Sequence, residues 1–239
     1  MSSLQKYILR CGEVYLTMSD YRAKTAYQNE TDASSYDQKR FTSMRGRIGH
    51  YLDRRALGKA LSQLSDHQVH TLIDIPCGTS RISKDLIKLG YKLFGSDISF
   101  EMMENGKNKI SHFRSFYGFA QCDASRAAFI DNSFDCLVCV RFIGHIPAEY
   151  RDSIFSEFGR ISRFSIIELS LESNIAKMRK KIDRLLRSGS DLPSRWKWEV
   201  FDTAGLEQEL ADSGFKIIAK WPKFRFFSDS WFVLLGNKD

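Results

Sequence analysis

Two carboxylates and one glycine turn carry the chemistry most plainly readable in these 239 residues. The run Asp74-Ile75-Pro76-Cys77-Gly78-Thr79-Ser80-Arg81 follows a short apolar stretch, Val69 to Ile75, with strand character. A tight turn there, opening into a helix, lets backbone amides approach a ligand at the positive end of the helix dipole. Gly78 supplies the close approach and the free φ. About twenty residues later a second apolar stretch ends in Gly95-Ser96-Asp97. A carboxylate at that distance from a glycine turn can accept hydrogen bonds from two ribose hydroxyls. A third stretch ends in Gln121-Cys122-Asp123-Ala124, and a fourth runs into Arg141-Phe142-Ile143-Gly144-His145. Every one of these polar groups follows a predicted strand, where ligands of open α/β sheets sit.

The spacing predicts the elements that hold them. Strands over 69–75, 91–95, 116–121, 134–142 and 164–170 alternate with helices over 80–89, 99–110 and 147–161. Gly90 marks a helix end, Ser99 a helix start and Pro147 a first turn. Such alternation argues for βαβ units and a parallel sheet. After a helix over 203–213, strands over 215–221 and 230–236 lie too close for a crossover helix, so they pair antiparallel. Residues 1 to 65 are polar, with helical patches and no clear strand. A helix over 47–64 spaces Ile48, Leu52, Leu57, Ala60 and Leu64 for one face. Ser80 can cap the helix that follows the turn.

The segments together resemble the class I S-adenosylmethionine (SAM)-dependent methyltransferase family. Residues 74–81 resemble its first motif, in a form with Pro-Cys-Gly-Thr at its centre and with Pro76 and Ser80 standing where two of the usual glycines are. Asp97-Ile98-Ser99-Phe100-Glu101-Met102 resembles the acidic run after the second strand. Residues 130–139 resemble the segment leading into strand four. The resemblance implies an α/β, Rossmann-like class I methyltransferase fold, its parallel sheet closed by an antiparallel C-terminal hairpin. It implies SAM as cofactor, held by Asp74, Pro76, Cys77, Gly78, Thr79, Asp97, Ile98, Met102, Cys122, Asp123, Ala124 and Arg141. Ile98 would pack on the adenine, Asp123 would meet its amino group and Arg141 would lie beside the methionine portion.

The expected domains are a helical N-terminal lid over 1–65 and a SAM-binding methyltransferase domain over 66–239. An insertion at 171–202 would shape the acceptor site. His145 is the candidate general base, its ordinary pKa being near 6.5; a structural histidine there is the competing reading. Trp196 and Trp198, with Phe201, are candidates for stacking on a flat acceptor, and Arg195 and Lys197 beside them favour an anionic one. Arg40 or Arg47 is a further candidate for a carboxylate. The sulfonium already activates the methyl group, so such a protein chiefly positions an acceptor in line.

Composition narrows the partners. Formal net charge is +7, and residues 177–187 hold six basic side chains and one acid at helical spacing. That stretch reads as a solvated face or as a basic surface toward an anionic partner. With no tetrad or module for bases, the expectation is a small-molecule acceptor and no nucleic acid; methylation of a protein or nucleic acid is the alternative. A non-catalytic SAM-binding subunit and a nicotinamide dehydrogenase are rivals from other classes. The five cysteines form no disulfide framework. Cys136 and Cys139 occupy positions of one strand that face opposite ways, so no metal is expected. With neither an apolar leader nor a run long enough to span a bilayer, a cytoplasmic protein is expected.

Overall fold

The computed structural model describes residues 8–10, 36–37, 42–172, 200–224 and 228–238. Its strands are β1 (Ile8–Arg10), β2 (Thr71–Asp74), β3 (Lys92–Asp97), β4 (Phe116–Gln121), β5 (Phe134–Cys139), β6 (Ser162–Leu171), β7 (Val200–Phe201), β8 (Phe215–Pro222) and β9 (Ser230–Asn237). The helices are α1 (Met44–Ser62), α2 (Arg81–Lys88), α3 (Phe100–Ile110), α4 (Ala148–Ile161) and α5 (Thr203–Asp212). One sheet runs β1-β4-β3-β2-β5-β6-β9-β8, with β7 paired to β6 off that path. Strands β1 to β6 pair in parallel, whereas β9 lies antiparallel to both β6 and β8. The chain therefore leaves β6, builds the outer strand β8 and returns to fill the place between them. This is the expected parallel sheet closed by an antiparallel hairpin.

Burial on both faces explains why the central strands read as continuous apolar runs. Along β5, Cys136 and Val138 belong to the core beneath α1, α2 and α3, while Leu137 and Cys139 belong to the core beneath α4 and α5. The two cysteine sulfurs thus lie on opposite faces of the sheet. Local signals set the helix ends. The Ser99 hydroxyl accepts the Met102 N–H at 3.1 Å to start α3, and Gly90 takes φ +98° just past α2.

Three expectations are corrected. Residues 8–10, within a segment read as having no strand, form β1, which pairs with β4 from Ile8↔Phe119 to Arg10↔Gln121. Three residues are too few for a period to be visible. Helix α1 buries Leu57 and Ala60 as expected, and Leu64 just beyond it, but Asp53, Ala56 and Leu61 join them on the inner face, while Ile48 is 53% exposed. A buried aspartate on the inner face displaces the apolar stripe that hydrophobicity alone selects. Finally, Ser80 precedes α2 without a side-chain cap bond, because it holds φ +60°. Its hydroxyl is buried without a hydrogen-bond partner.

Candidate active site

The chain passes from β2 to β3 and β4 on one side, then crosses to β5 on the other side of β2. The carboxyl ends of β2 and β5 therefore diverge at a topological switch point, where open α/β sheets bind ligands. The turn leaving β2 is fastened on both flanks. Ile75 N–H donates to the Val138 carbonyl at 3.0 Å, and Cys77 N–H to the Ser96 carbonyl at 2.8 Å. Gly78, at φ +50°, donates its N–H to Asp97 Oδ2 at 2.7 Å. Asp97 Oδ1 accepts the Ser99 N–H at 2.9 Å. One carboxylate thus ties the glycine turn to the N-terminus of α3. Met102 packs against the same turn, its Cε 3.4 Å from where a Gly78 Cβ would stand.

The remaining candidates for the cofactor surround this tie. The Cys77 and Cys122 thiols are buried; burial pushes the Cys77 thiol well up, so it is no nucleophile near neutrality. Cys122 Sγ lies 2.9 Å from Ser96 Oγ. Ile98 is half-buried, and its carbonyl accepts from Gln121 Nε2 at 3.1 Å. Asp123 Oδ1 accepts the Ser125 N–H at 3.0 Å and the Ser125 hydroxyl at 2.9 Å, which fixes the turn carrying buried Ala124. Asp135, within the expected run 130–139, works by contrast at the far end of the sheet. Asp135 accepts from His70 N–H, Thr71 N–H and Thr71 Oγ1 there.

Burial sets the electrostatics of the two central acids. It raises the Asp74 carboxyl to about 7, although Ser83 Oγ donates to it at 2.5 Å. It raises Asp97 to about 6 against the opposing pull of the Ser99 and Gly78 amides. Burial, the first cause in both, is what raises these carboxyls.

The N-terminal region is anchored over this end of the sheet by ions. Asp37 accepts from Thr79 Oγ1 at 2.7 Å and pairs with Lys109, and Lys109 also donates to the Thr79 carbonyl at 2.8 Å. Asp53, fully buried on α1, meets Arg141 Nη2 at 3.0 Å, Arg81 Nη1 at 3.5 Å and the Lys223 ammonium. Lys223 reaches Glu168 Oε1 at 3.2 Å, where Ser230 Oγ also donates at 2.5 Å. His50 beside them is lowered to about 4 by burial and by the field of Arg81. A cleft of about 490 Å³ opens against this cluster, between the start of α1, Arg141 and Lys223.

His145 stands half-buried in a single 3₁₀ turn, Ile143–His145, just beyond β5. Arg141 precedes it at φ +61° and turns its guanidinium to Asp53. Phe201 does not offer a stacking face. It is 5% exposed, in the core beneath α4 and α5, with the Arg151 guanidinium 4.6 Å from its ring centroid. Arg47 lies exposed on α1. Trp196, Trp198, Arg195, Lys197, Arg40 and the basic run 177–187 lie outside the described residues.

Known proteins share both the sequence and the fold of this region. Residues 72–164 match the family described as methyltransferase domain. The chain has a Rossmann-like methyltransferase fold, and residues 72–164 are similar to that domain family. Over 117 residues it is 32% identical to demethylmenaquinone methyltransferase of Desulfitobacterium hafniense (strain Y51), a match covering 47% of this chain and 46% of that one. The chain thus spans less than half of that relative's length. The fold is similar to magnesium protoporphyrin IX methyltransferase from Synechocystis PCC 6803, solved with bound SAH (S-adenosylhomocysteine). There the TM-score is 0.69 at 19% identity, over 90% of this chain and 100% of the other. A SAM-dependent methyltransferase from Clostridium acetobutylicum ATCC 824 gives 0.61 at 14% identity, over 87% and 98%.

Sequence reasoning about this site passed over two kinds of residue. Gly106 lets α3 rest on the turn: a Cβ there would stand 2.3 Å from Ser80 Oγ and 2.7 Å from the Thr79 carbonyl carbon. A glycine inside a helical run was the available signal. Asp53, Glu168 and Lys223 are isolated charges in three separate elements, and no local spacing joins them.

Proposed function

We propose that the chain is a SAM-dependent methyltransferase that transfers the methyl group to a small organic acceptor at O, N or C. The observation that carries this reading is the Asp97 bridge from Gly78 to the α3 N-terminus at the switch point. It presents a carboxylate for the ribose hydroxyls on a turn already closed by its own amides. Asp74 and the backbone of 76–79 would hold the amino acid portion, and Ile98, Met102 and the 122–124 turn the adenine. The sulfonium supplies an activated methyl group when SAM is bound. The protein's part is to aim the acceptor and exclude water. His145 is the candidate to take a proton from an acceptor that must lose one. Residues 1–65 and 171–202 are the proposed walls over the acceptor.

The rival reading, a non-catalytic SAM-binding subunit, rested on the two missing glycines. Ser80 nevertheless holds φ +60°, a left-handed conformation that glycine favours, so the substitution leaves the turn's path intact. Isothermal titration tests the cofactor: SAM and SAH are expected to bind in the micromolar range (about −8 kcal/mol) and NAD not at all. Binding of NAD in place of SAM overturns the reading. Labelled SAM incubated with a metabolite extract is expected to give a labelled small product. Label confined to macromolecules favours the protein or nucleic-acid alternative.

A further inference from the structure

Helix α1 carries two apolar faces. The inner one, Ala56, Leu57, Ala60 and Leu61, packs into the core of the sheet. The outer one starts in the first turn: Met44 is 70%, Ile48 53% and Tyr51 61% exposed. Steps of four and then three residues stack these side chains in one row on the helix surface. A single exposed apolar residue is ordinary on a protein surface, but a contiguous row marks a binding face. Because the inner face is buried, α1 cannot roll to hide the outer one.

Cations frame the row. At about 100° per residue, Arg47 and Arg54 fall on one side of it and Arg45 on the other, while Arg55 and Lys59 continue it toward the end of the helix. All five are exposed. Arg54 pairs with Asp85 at 3.3 Å, and Lys59 lies 5.5 Å from the Trp221 ring centroid. Arg45, Arg47 and Arg55 have no carboxylate partner among the described residues. The one acid of the helix, Asp53, is buried on the opposite side. The outer face therefore offers bulky apolar side chains ringed by arginines and no carboxylate of its own.

We propose that this face docks on an anionic lipid surface. Met44, Ile48 and Tyr51 enter the boundary between headgroups and acyl chains, and the arginines meet lipid phosphates, which is how an amphipathic helix lies in an interface. Nucleic acid would use the cations but leave the apolar row in water, so lipid fits the whole face better. Arg45 and Ile48 also line the cleft beside Arg141 and Lys223. Docking would thus hold the mouth of that cleft against the lipid.

The test floats the full chain with vesicles of pure phosphatidylcholine, or of phosphatidylcholine and phosphatidylglycerol in equal parts. Partition onto the anionic vesicles is expected to be at least about tenfold stronger and to fall as salt is raised. Joint Met44→Ser, Ile48→Ser and Tyr51→Ser changes, all exposed, are expected to reduce that partition at least tenfold. Joint Arg47→Ala and Arg55→Ala changes leave the apolar row intact and are expected to reduce it several-fold. Tyr117→Ser with Ile130→Ser, exposed positions outside α1, is expected to leave it unchanged. Circular dichroism checks that each variant is folded. Equal partition onto both vesicles, no partition onto either, or undiminished partition in the folded α1 variants would overturn the proposal. So would binding to a DNA duplex without binding to vesicles, which would make the partner a nucleic acid.

Discussion

The glycine turn after β2 and the ionic cluster behind α1 are held in different ways. Around Gly78 the groups are placed by backbone. The Cys77, Gly78 and Ser99 amides and the Ser96 carbonyl lie at the ends of the adjacent strands β2 and β3 and on the turns that follow them. Around the cleft the groups are placed by long charged side chains from α1, α2, the β5 end and the segment after β8. Backbone geometry changes little when side chains vary, whereas an ionic cluster changes with every substitution. The family match over residues 72–164 takes in Arg81 and Arg141 of that cluster but not Asp53, Glu168 or Lys223.

The largest expected effect breaks the ionic side. Asp53→Ala leaves Arg81, Arg141 and Lys223 facing one another without their shared carboxylate. Removing one member of a buried pair costs about 3–5 kcal/mol, to be read from urea unfolding. A loss below about 1 kcal/mol would mean the cluster does not hold α1. Next comes the backbone side. Asp97→Ala strands two buried amides and removes the ribose acceptor, and is expected to weaken SAH by about 1.5–3 kcal/mol. An unchanged dissociation constant in a folded variant would assign the ribose to another group. Gly106→Ala then sharpens the distinction. Its Cβ would overlap Ser80 Oγ, an overpacking that costs about 1–3 kcal/mol, and the displaced turn is expected to lose SAH affinity. An unchanged SAH affinity would show that the turn absorbs the added methyl group.

That division also explains what could be read in the sequence. The ends of β4 at Phe116 and Gln121 and the start of β5 at Phe134 coincide with the expected strands, because short apolar runs between glycines and polar turns leave few alternatives. Asp97 and Ser99 were legible because their partners lie at a fixed short distance along the chain. Strand β1 was not, since three residues carry no period and its partner β4 is over a hundred residues away. Nor was the place of Asp53 on the inward face of α1. Asp53 counts against burial on any hydropathy pattern, and its reason for being buried, Arg141, lies 88 residues on.

The smallest expected effect concerns protons and separates the two sides without mutation. Burial raises Asp74 to about 7 and Asp97 to about 6, above the ordinary carboxyl value near 3.9 that both recover on unfolding. Between roughly pH 4 and 7 the folded chain therefore binds more protons than the unfolded one, and the contribution of these two groups to stability falls as pH rises. Cofactor binding runs the other way. If Asp97 accepts the ribose hydroxyls it must be ionised, so SAH affinity is expected to fall by about tenfold per pH unit (about 1.4 kcal/mol) below pH 6. Titrating SAH from pH 7.5 to 5 measures this directly. Asp97→Asn, which keeps an acceptor oxygen but cannot titrate, should bind more weakly at pH 7.5 and show no such slope. A slope that survives in Asp97→Asn would move the proton to Asp74, and a flat profile in the unmutated protein would remove Asp97 from the ribose altogether.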